Sequence, residues 1–394
     1  MIKIAFTGDI LSYPNQNKKV FDLFRCYNYT SVFDGVSSLF DDCDYVCGSL
    51  ETPVSPKQPY SKDCMNFNTP VEFLAALKKM GVDLLTTANN HCLDRGVSGL
   101  YDTIDAIDSQ GMRSTGTRKN PYDQNYYIKT INGTRLAFVA FTYDTNADAN
   151  HCYLDAANEY VVNLTKKQWR PKNVVKRGLK SRAKNILKRL YRLVVSSKTS
   201  YPMQPLMDCV SKQEIDNQEN VSYLDNIKRT IEKAKKESDY LFFLLHAGGQ
   251  FNSEIGEYTR YLIDYISNCG ADFIVCNHTH CVLPIDFDGH HIKAYSLGNF
   301  AFTPCDGYYI DGVYADYSVV LYLTITDKTH LMSSFSIVKN IIDQDGISKV
   351  MPVYDLFNKL SDNEEKDRLL KDVREVLKRL QYKNDFEMKK EYFI

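Results

Sequence analysis

The chain has no excess of charge of either sign, because 48 Lys and Arg against 49 Asp and Glu leave a formal net charge of -1 over 394 residues. Nucleic-acid binders carry a net or clearly patterned positive charge, so no nucleic acid is expected as a partner. Long apolar runs are also lacking: none approaches the roughly 18 residues that span a bilayer. The start, Met1-Ile2-Lys3-Ile4-Ala5-Phe6-Thr7-Gly8-Asp9, shows no basic region, apolar stretch or small-residue cleavage site of a secretory signal. Cysteines in Cys-x-x-Cys pairs are missing. The eleven present are scattered and odd in number, which argues against a disulfide framework or a zinc ribbon and for reduced thiols. Together these absences predict a soluble, cytoplasmic protein. With 44% hydrophobic residues, the chain is long enough to bury one sizeable core or two smaller ones.

Short runs rich in β-branched and aromatic residues recur, at Ile2 to Phe6, Tyr45 to Cys47, Leu84 to Thr87, Leu136 to Phe141, Tyr240 to Leu245 and Phe273 to Cys276. Helical spacing appears between them, at Val71 to Met80, Gly99 to Ser109, Ser222 to Lys236 and Thr259 to Cys269, with Gly81, Gly111 and Gly270 as stop signals. Such alternation predicts a layered α/β fold. Two further strand patterns, Tyr317 to Ile325 and Ser333 to Val338, precede a charged helix from about Asp362 to Lys383. One stretch stands apart: Lys166 to Lys198 holds thirteen Lys or Arg and no Asp or Glu. It is expected to be an insertion. Val174, Val175, Leu179, Ala183, Ile186, Leu187, Leu190 and Leu193 recur there at helical spacing, predicting a basic amphipathic helix. Such a helix either packs on the domain by its apolar stripe or docks on an anionic membrane surface or polymer.

Polar and ionisable residues stand just past the C-terminal ends of five strand runs, the edge where open α/β sheets bind ligands. Asp9 follows the first run and Glu51 the second; Asn89, Asn90 and His91 follow the third, His246 the fifth, and His278 and His280 the sixth. A single Asp after a strand usually shapes a turn or cap. Here four of the eight histidines occupy such positions together with two carboxylates and an amide, which argues for one shared site. Two imidazoles at i and i+2, as in His278-Thr279-His280, can face one ion, and mixed carboxylate, amide and imidazole donors suit Mn, Fe or Zn. Asp94 either orients His91 or Arg95 through a hydrogen bond or caps the helix that follows.

In their order along the chain, Gly8-Asp9, Ser49-Leu50-Glu51-Thr52-Pro53, Ala88-Asn89-Asn90-His91-Cys92-Leu93-Asp94-Arg95-Gly96, His246-Ala247-Gly248, His278-Thr279-His280 and Tyr295-Ser296-Leu297-Gly298-Asn299-Phe300 resemble the CapA capsule-synthesis family, a relative of the calcineurin-like metallophosphatases. The resemblance implies a four-layer αββα sandwich over residues 1–302, with the basic insertion at about 160–205 and strands and a helix in 303–394 completing the fold. It implies that Asp9, Glu51, Asn90, His246, His278 and His280 surround one or two divalent ions. His91, Asp9, His278 and His280 are the catalytic candidates, and Asn89, Asp94, Arg95, Gln250 and Asn299 the candidates for substrate contact. The expected activity is hydrolysis of a phosphoester, amide or γ-glutamyl-type bond in capsule or envelope polymer synthesis. Expected partners are an anionic polymer, a peptide or a phosphorylated small molecule. Lys166 to Lys198 would contact a synthase or the inner face of the membrane. Departures leave alternatives open: Leu11 replaces the histidine of the phosphatase Asp-x-His signature, a loss the family shares, while Ala247, Gln250 and Asn277 replace an aromatic residue, a carboxylate and a glycine. A metal-free acid/base pair of Asp9 with His278 or His280, and a non-catalytic assembly factor, are the competing expectations.

Overall fold

Alternation along the strands builds the molecule. In the computed structural model, which describes residues 1–60, 66–168, 218–303, 312–326, 330–384 and 386–394, β1 (Ile2–Ile10) turns Ile2, Ile4 and Phe6 into one core and Ala5 and Ile10 into another. A second group behaves likewise. From β6 (Thr134–Thr142), β7 (Tyr240–His246) and β8 (Phe273–Asn277), residues Phe138, Phe242 and Phe273 meet the first core, whereas Val139, Phe243 and Ile274 enter a third. Strands buried on both faces must be covered twice, so the period of two dictates two sheets face to face with helices outside each.

The first sheet has nine strands. Its main path runs β14 (Ser348–Pro352), β13 (Leu331–Ile342), β12 (Tyr317–Ile325), β1, β2 (Tyr45–Leu50), β3 (Leu84–Thr86) and β4 (Arg113–Thr115), with β11 (Asn299–Ala301) on β1 and β15 (Tyr392–Phe393) on β13. The second is ordered β5 (Tyr127–Ile131), β6, β7, β8, β10 (Ile292–Ala294) and β9 (Ile285–Phe287). Between them Phe242 stacks against Phe138 at 5.1 Å and lies 5.3 Å from Phe6, joining the sheets through fully buried aromatics. Each such side chain contributes roughly 1.5–3 kcal/mol by burial.

Helices α1 (Pro14–Phe24), α2 (Thr30–Phe33), α3 (Glu72–Met80) and α4 (Gly96–Ser109) cover the outer face of the first sheet with Val20, Phe33, Leu77 and Ile107. After the short α5 (Ala147–Asn150), α6 (Val221–Glu237) and α7 (Glu257–Asn268) cover the second with Ile231 and Leu262. The architecture is the αββα sandwich. Beyond α8 (Val353–Lys359), α9 (Asn363–Arg379) starts at its cap, Asp362, whose carboxylate accepts from Glu365 N at 2.8 Å. It turns Leu369, Val373 and Val376 onto the central core. Strand β12 pairs antiparallel with β1, so the C-terminal strands belong to the first sheet.

Two expectations are refined. Asp9 and His246 lie within strands, because β2 and β11 extend the pairing of β1 to Ile10, and β6 pairs with β7 up to His246. The candidate residues also do not share one sheet edge: those before residue 100 end strands of the first sheet, and the later histidines end strands of the second. The predicted basic helix, with Val174, Val175, Leu179, Ala183, Ile186, Leu187, Leu190 and Leu193, lies outside the described residues. Among the described residues no helix is long and apolar enough to cross a membrane.

Candidate metal centre

Parallel strands β1, β2 and β3 end side by side, and their carboxyl ends meet those of β7 and β8 across the central core. Asp9 and Glu51 come to this meeting point fully buried, with His246, His278 and His280 almost so. His246 Nδ1 lies 3.7 Å from Asp9 Oδ1, and its Nε2 lies 3.5 Å from Glu51 Oε1. His278 Nδ1 is 3.9 Å from Glu51 Oε1. His280 Nδ1 is 4.0 Å from Asp9 Oδ2 and 3.8 Å from Glu51 Oε2. Asn90 completes the group, its Oδ1 2.8 Å from His246 Nε2. The donor atoms fall into two sets that share Glu51, one with His246 and His278 and one with Asp9 and His280.

The electrostatics fit a cation. Both carboxylate oxygens of Glu51 are buried with no hydrogen-bond partner, as is His246 Nδ1. A buried carboxylate without hydrogen bonds has lost its water without a direct replacement, and a divalent ion would supply one. Burial and the charge of Glu51 push Asp9 well above the usual carboxylate range, against hydrogen bonds from Ser49 Oγ at 2.8 Å and His278 N at 2.9 Å. Glu51 moves the other way: burial raises it, but His280, His246 and His91 together bring it below its ordinary value. Burial lowers His246, and burial followed by the neighbouring imidazoles takes His278 well below the ordinary histidine range. Neutral imidazoles are the form that binds metal.

Backbone conformation is bent to the same end. His278 and His280 both sit in the left-handed region, at φ +109° and +59°, a conformation that costs a side-chain-bearing residue energy and persists only where surroundings enforce it. The Asp9 carboxylate holds the His278 N–H, and Asn299 Nδ2 donates to the His280 carbonyl at 3.1 Å. Asn299 gives its other amide hydrogen to Ala315 O and places Oδ1 2.8 Å from His280 Nδ1. Its amide thus serves the scaffold and His280.

His91 stands beside the cluster on the loop after β3. Its Nδ1 lies 2.7 Å from Asp94 Oδ2, which also accepts from Phe67 N at 2.7 Å, and the Phe67 ring packs edge-on against the imidazole at 4.6 Å. Burial lowers His91, but the hydrogen bond and charge of Asp94, with Glu51, leave it above its ordinary value. Asp94 therefore orients His91; the residue at the cap position of α4 is Arg95, which makes no side-chain cap. Arg95 itself donates to Asn66 and to the Asp94 carbonyl. Asn89 binds Leu50 O at 2.7 Å and accepts from His91 N, clipping the loop to β2. Gln250 is half-buried on the loop after β7. Ser49, Phe67 and Tyr143 were not expected here. Tyr143 Oη lies 3.0 Å from His278 Nε2, and its place two residues past the apolar run Leu136 to Phe141 is the sequence signal that could have found it. Leu11, in place of the signature histidine, lies in an apolar cluster with Tyr13, Phe67, Phe302 and Val313.

An αββα sandwich with buried carboxylates and imidazoles where its sheets meet is a metallophosphatase-like architecture. Residues 3–304 match the family model described as bacterial capsule synthesis protein PGA_cap, and the chain belongs to that family. It is 24% identical over 306 residues to the PGA biosynthesis protein CapA of Bacillus subtilis (strain 168), covering 77% of this chain and 63% of that protein. It is also 26% identical over 306 residues to the capsule biosynthesis protein CapA of Bacillus anthracis, covering 76% and 60%. The chain thus spans about three-fifths of the length of these relatives. A solved structure of a hypothetical protein from Thermus thermophilus superposes with a TM-score of 0.43 at 12% identity, covering 86% of this chain and 99% of that one.

Proposed function

We propose that the protein is a metal-dependent hydrolase of capsule or envelope polymer synthesis, acting on a phosphoester, amide or γ-glutamyl-type bond. The observation that carries the proposal is Glu51: a fully buried carboxylate with no hydrogen bond to either oxygen, shared between two sets of imidazole and carboxylate donors. Glu51, Asn90, His246 and His278 would hold one ion, and Asp9, Glu51 and His280 a second, with Mn, Fe or Zn favoured by the donor set. A divalent ion bound there supplies Lewis acidity and lowers the pKa of water.

The chain's own groups supply the rest. Asp94 fixes Nδ1 of His91, which leaves Nε2 to carry a proton to the leaving group, and the hydrogen bond and charge of Asp94 favour the protonated ring. Phe67, packed on His91, keeps water from that ring. Anionic polymer, peptide and phosphorylated small molecule are the substrate classes, and Lys166 to Lys198 is assigned the contact with polymer, membrane surface or synthase through its thirteen cationic residues.

The test is hydrolysis of poly-γ-glutamate, a γ-glutamyl anilide and a chromogenic phosphodiester by protein purified without chelators. Turnover of at least one should vanish on chelation and return with Mn, Fe or Zn. Turnover that survives chelation would overturn the metal and favour Asp9 with His278 or His280 as an acid/base pair. Protein lacking residues 169–198, which leaves Gln168 in place, should keep turnover of the small reporters and lose binding to polymer; unchanged polymer binding would remove the role given to that stretch.

A further inference from the structure

We infer that Tyr143 is a positioning residue whose phenol oxygen accepts the Nε2 proton of His278 and so leaves the Nδ1 lone pair facing Glu51 and His246. The inference rests on the metal-dependent reading above and extends it to a residue outside the ligand set. Tyr143 follows β6 directly. Its N–H donates to the His246 carbonyl at 3.1 Å, and its carbonyl accepts from Gln168 Nε2 at 3.2 Å, so the main chain is fixed on both sides. The phenol oxygen then lies 3.0 Å from His278 Nε2, with ring centroids 4.9 Å apart.

Geometry decides which nitrogen carries the proton. His278 Nδ1 faces the donor set, 3.9 Å from Glu51 Oε1 and 3.1 Å from His246 Nε2, whereas its Nε2 faces the phenol. The nitrogen turned toward the donor set is the one that would hold a cation, and it must present its lone pair. A neutral imidazole has one proton, which then sits on Nε2, where Tyr143 is the acceptor. The backbone N–H of His278 is held by Asp9 and its Nδ1 faces His246, which leaves the phenol oxygen to fix the Nε2 end of the ring. The same tautomer serves a cation held by Nδ1, because ligand histidines are oriented and made more basic by the acceptor on their other nitrogen. Tyr143 thus prepares His278 before any ion arrives.

Nitrogen-15 spectra of the histidine rings in metal-free protein, with His278 assigned by its loss in His278→Asn, test the claim directly. The wild type should show His278 protonated at Nε2. Tyr143→Phe, which removes only the hydroxyl, should show a mixture of tautomers and bind Mn roughly 10-fold more weakly by calorimetry. A wild-type His278 protonated at Nδ1 overturns the inference whether or not the variant folds. So does a variant with unchanged tautomer. If the wild type binds no divalent cation yet the variant still shifts the tautomer, the positioning role stands and the metal-dependent function falls.

Discussion

His91 is where opposing influences can be weighed on a single residue. Burial favours the neutral ring, whereas Asp94 at 2.7 Å and the more distant Glu51 favour the cation, and the net shift is upward. A raised pKa keeps an acid protonated to higher pH. Asp94→Asn removes the charge, while its amide oxygen can still accept from His91 Nδ1 and Phe67 N, so the ring keeps its place and loses the carboxylate that favours its cation. Because a positioned acid contributes about 10²- to 10⁴-fold, kcat/KM on the alkaline side should fall by up to about 100-fold as the alkaline limb of its pH profile moves to lower pH. A pH profile with the limb in its wild-type position would show that another group donates the proton. Asn299 and Asn89 show what residue-level reasoning from sequence leaves out. Their amides are recognisable as polar groups beside the site, but their bonds to His280 and to Leu50 O depend on which chain segments lie opposite.

At the scale of elements, the approach of β1 to the turn before β11 fixes where Asp9 stands. Asp9 N donates to Gly298 O at 2.9 Å, and a Cβ on Gly8 would run into that same carbonyl, with Ser318 Oγ only 2.6 Å away. Neither neighbour is the free end of a long side chain. Overpacking of this kind costs about 1–3 kcal/mol or more, so Gly8→Ala should lower stability to urea by at least about 1 kcal/mol and weaken metal binding as Asp9 is displaced. Wild-type values for both would show that the two segments can part without consequence. The helices from Glu72, Gly96, Val221 and Glu257 were legible in the sequence because each has an apolar stripe of helical period. Strand ends were less so. Thr7 to Ile10 are not an apolar run, and they are extended because β2 and β11 pair with them.

At the scale of the molecule, the site exists because two sheets meet. The order of motifs along the chain was readable and so was their position at strand ends, since both are local properties. The assignment of Asp9, Glu51 and Asn90 to one sheet and of His246, His278 and His280 to the other was not, because it depends on long-range pairing such as that of β1 with β12. Each sheet alone carries an incomplete donor set, so metal binding would report correct docking of the halves. The most direct measurement is an anomalous-scattering map of crystals grown with Mn in excess. The account predicts density among Glu51, His246 and His278, with a second and weaker peak by Asp9 and His280, where Leu11 offers no donor. A map with no anomalous density among these residues would contradict it.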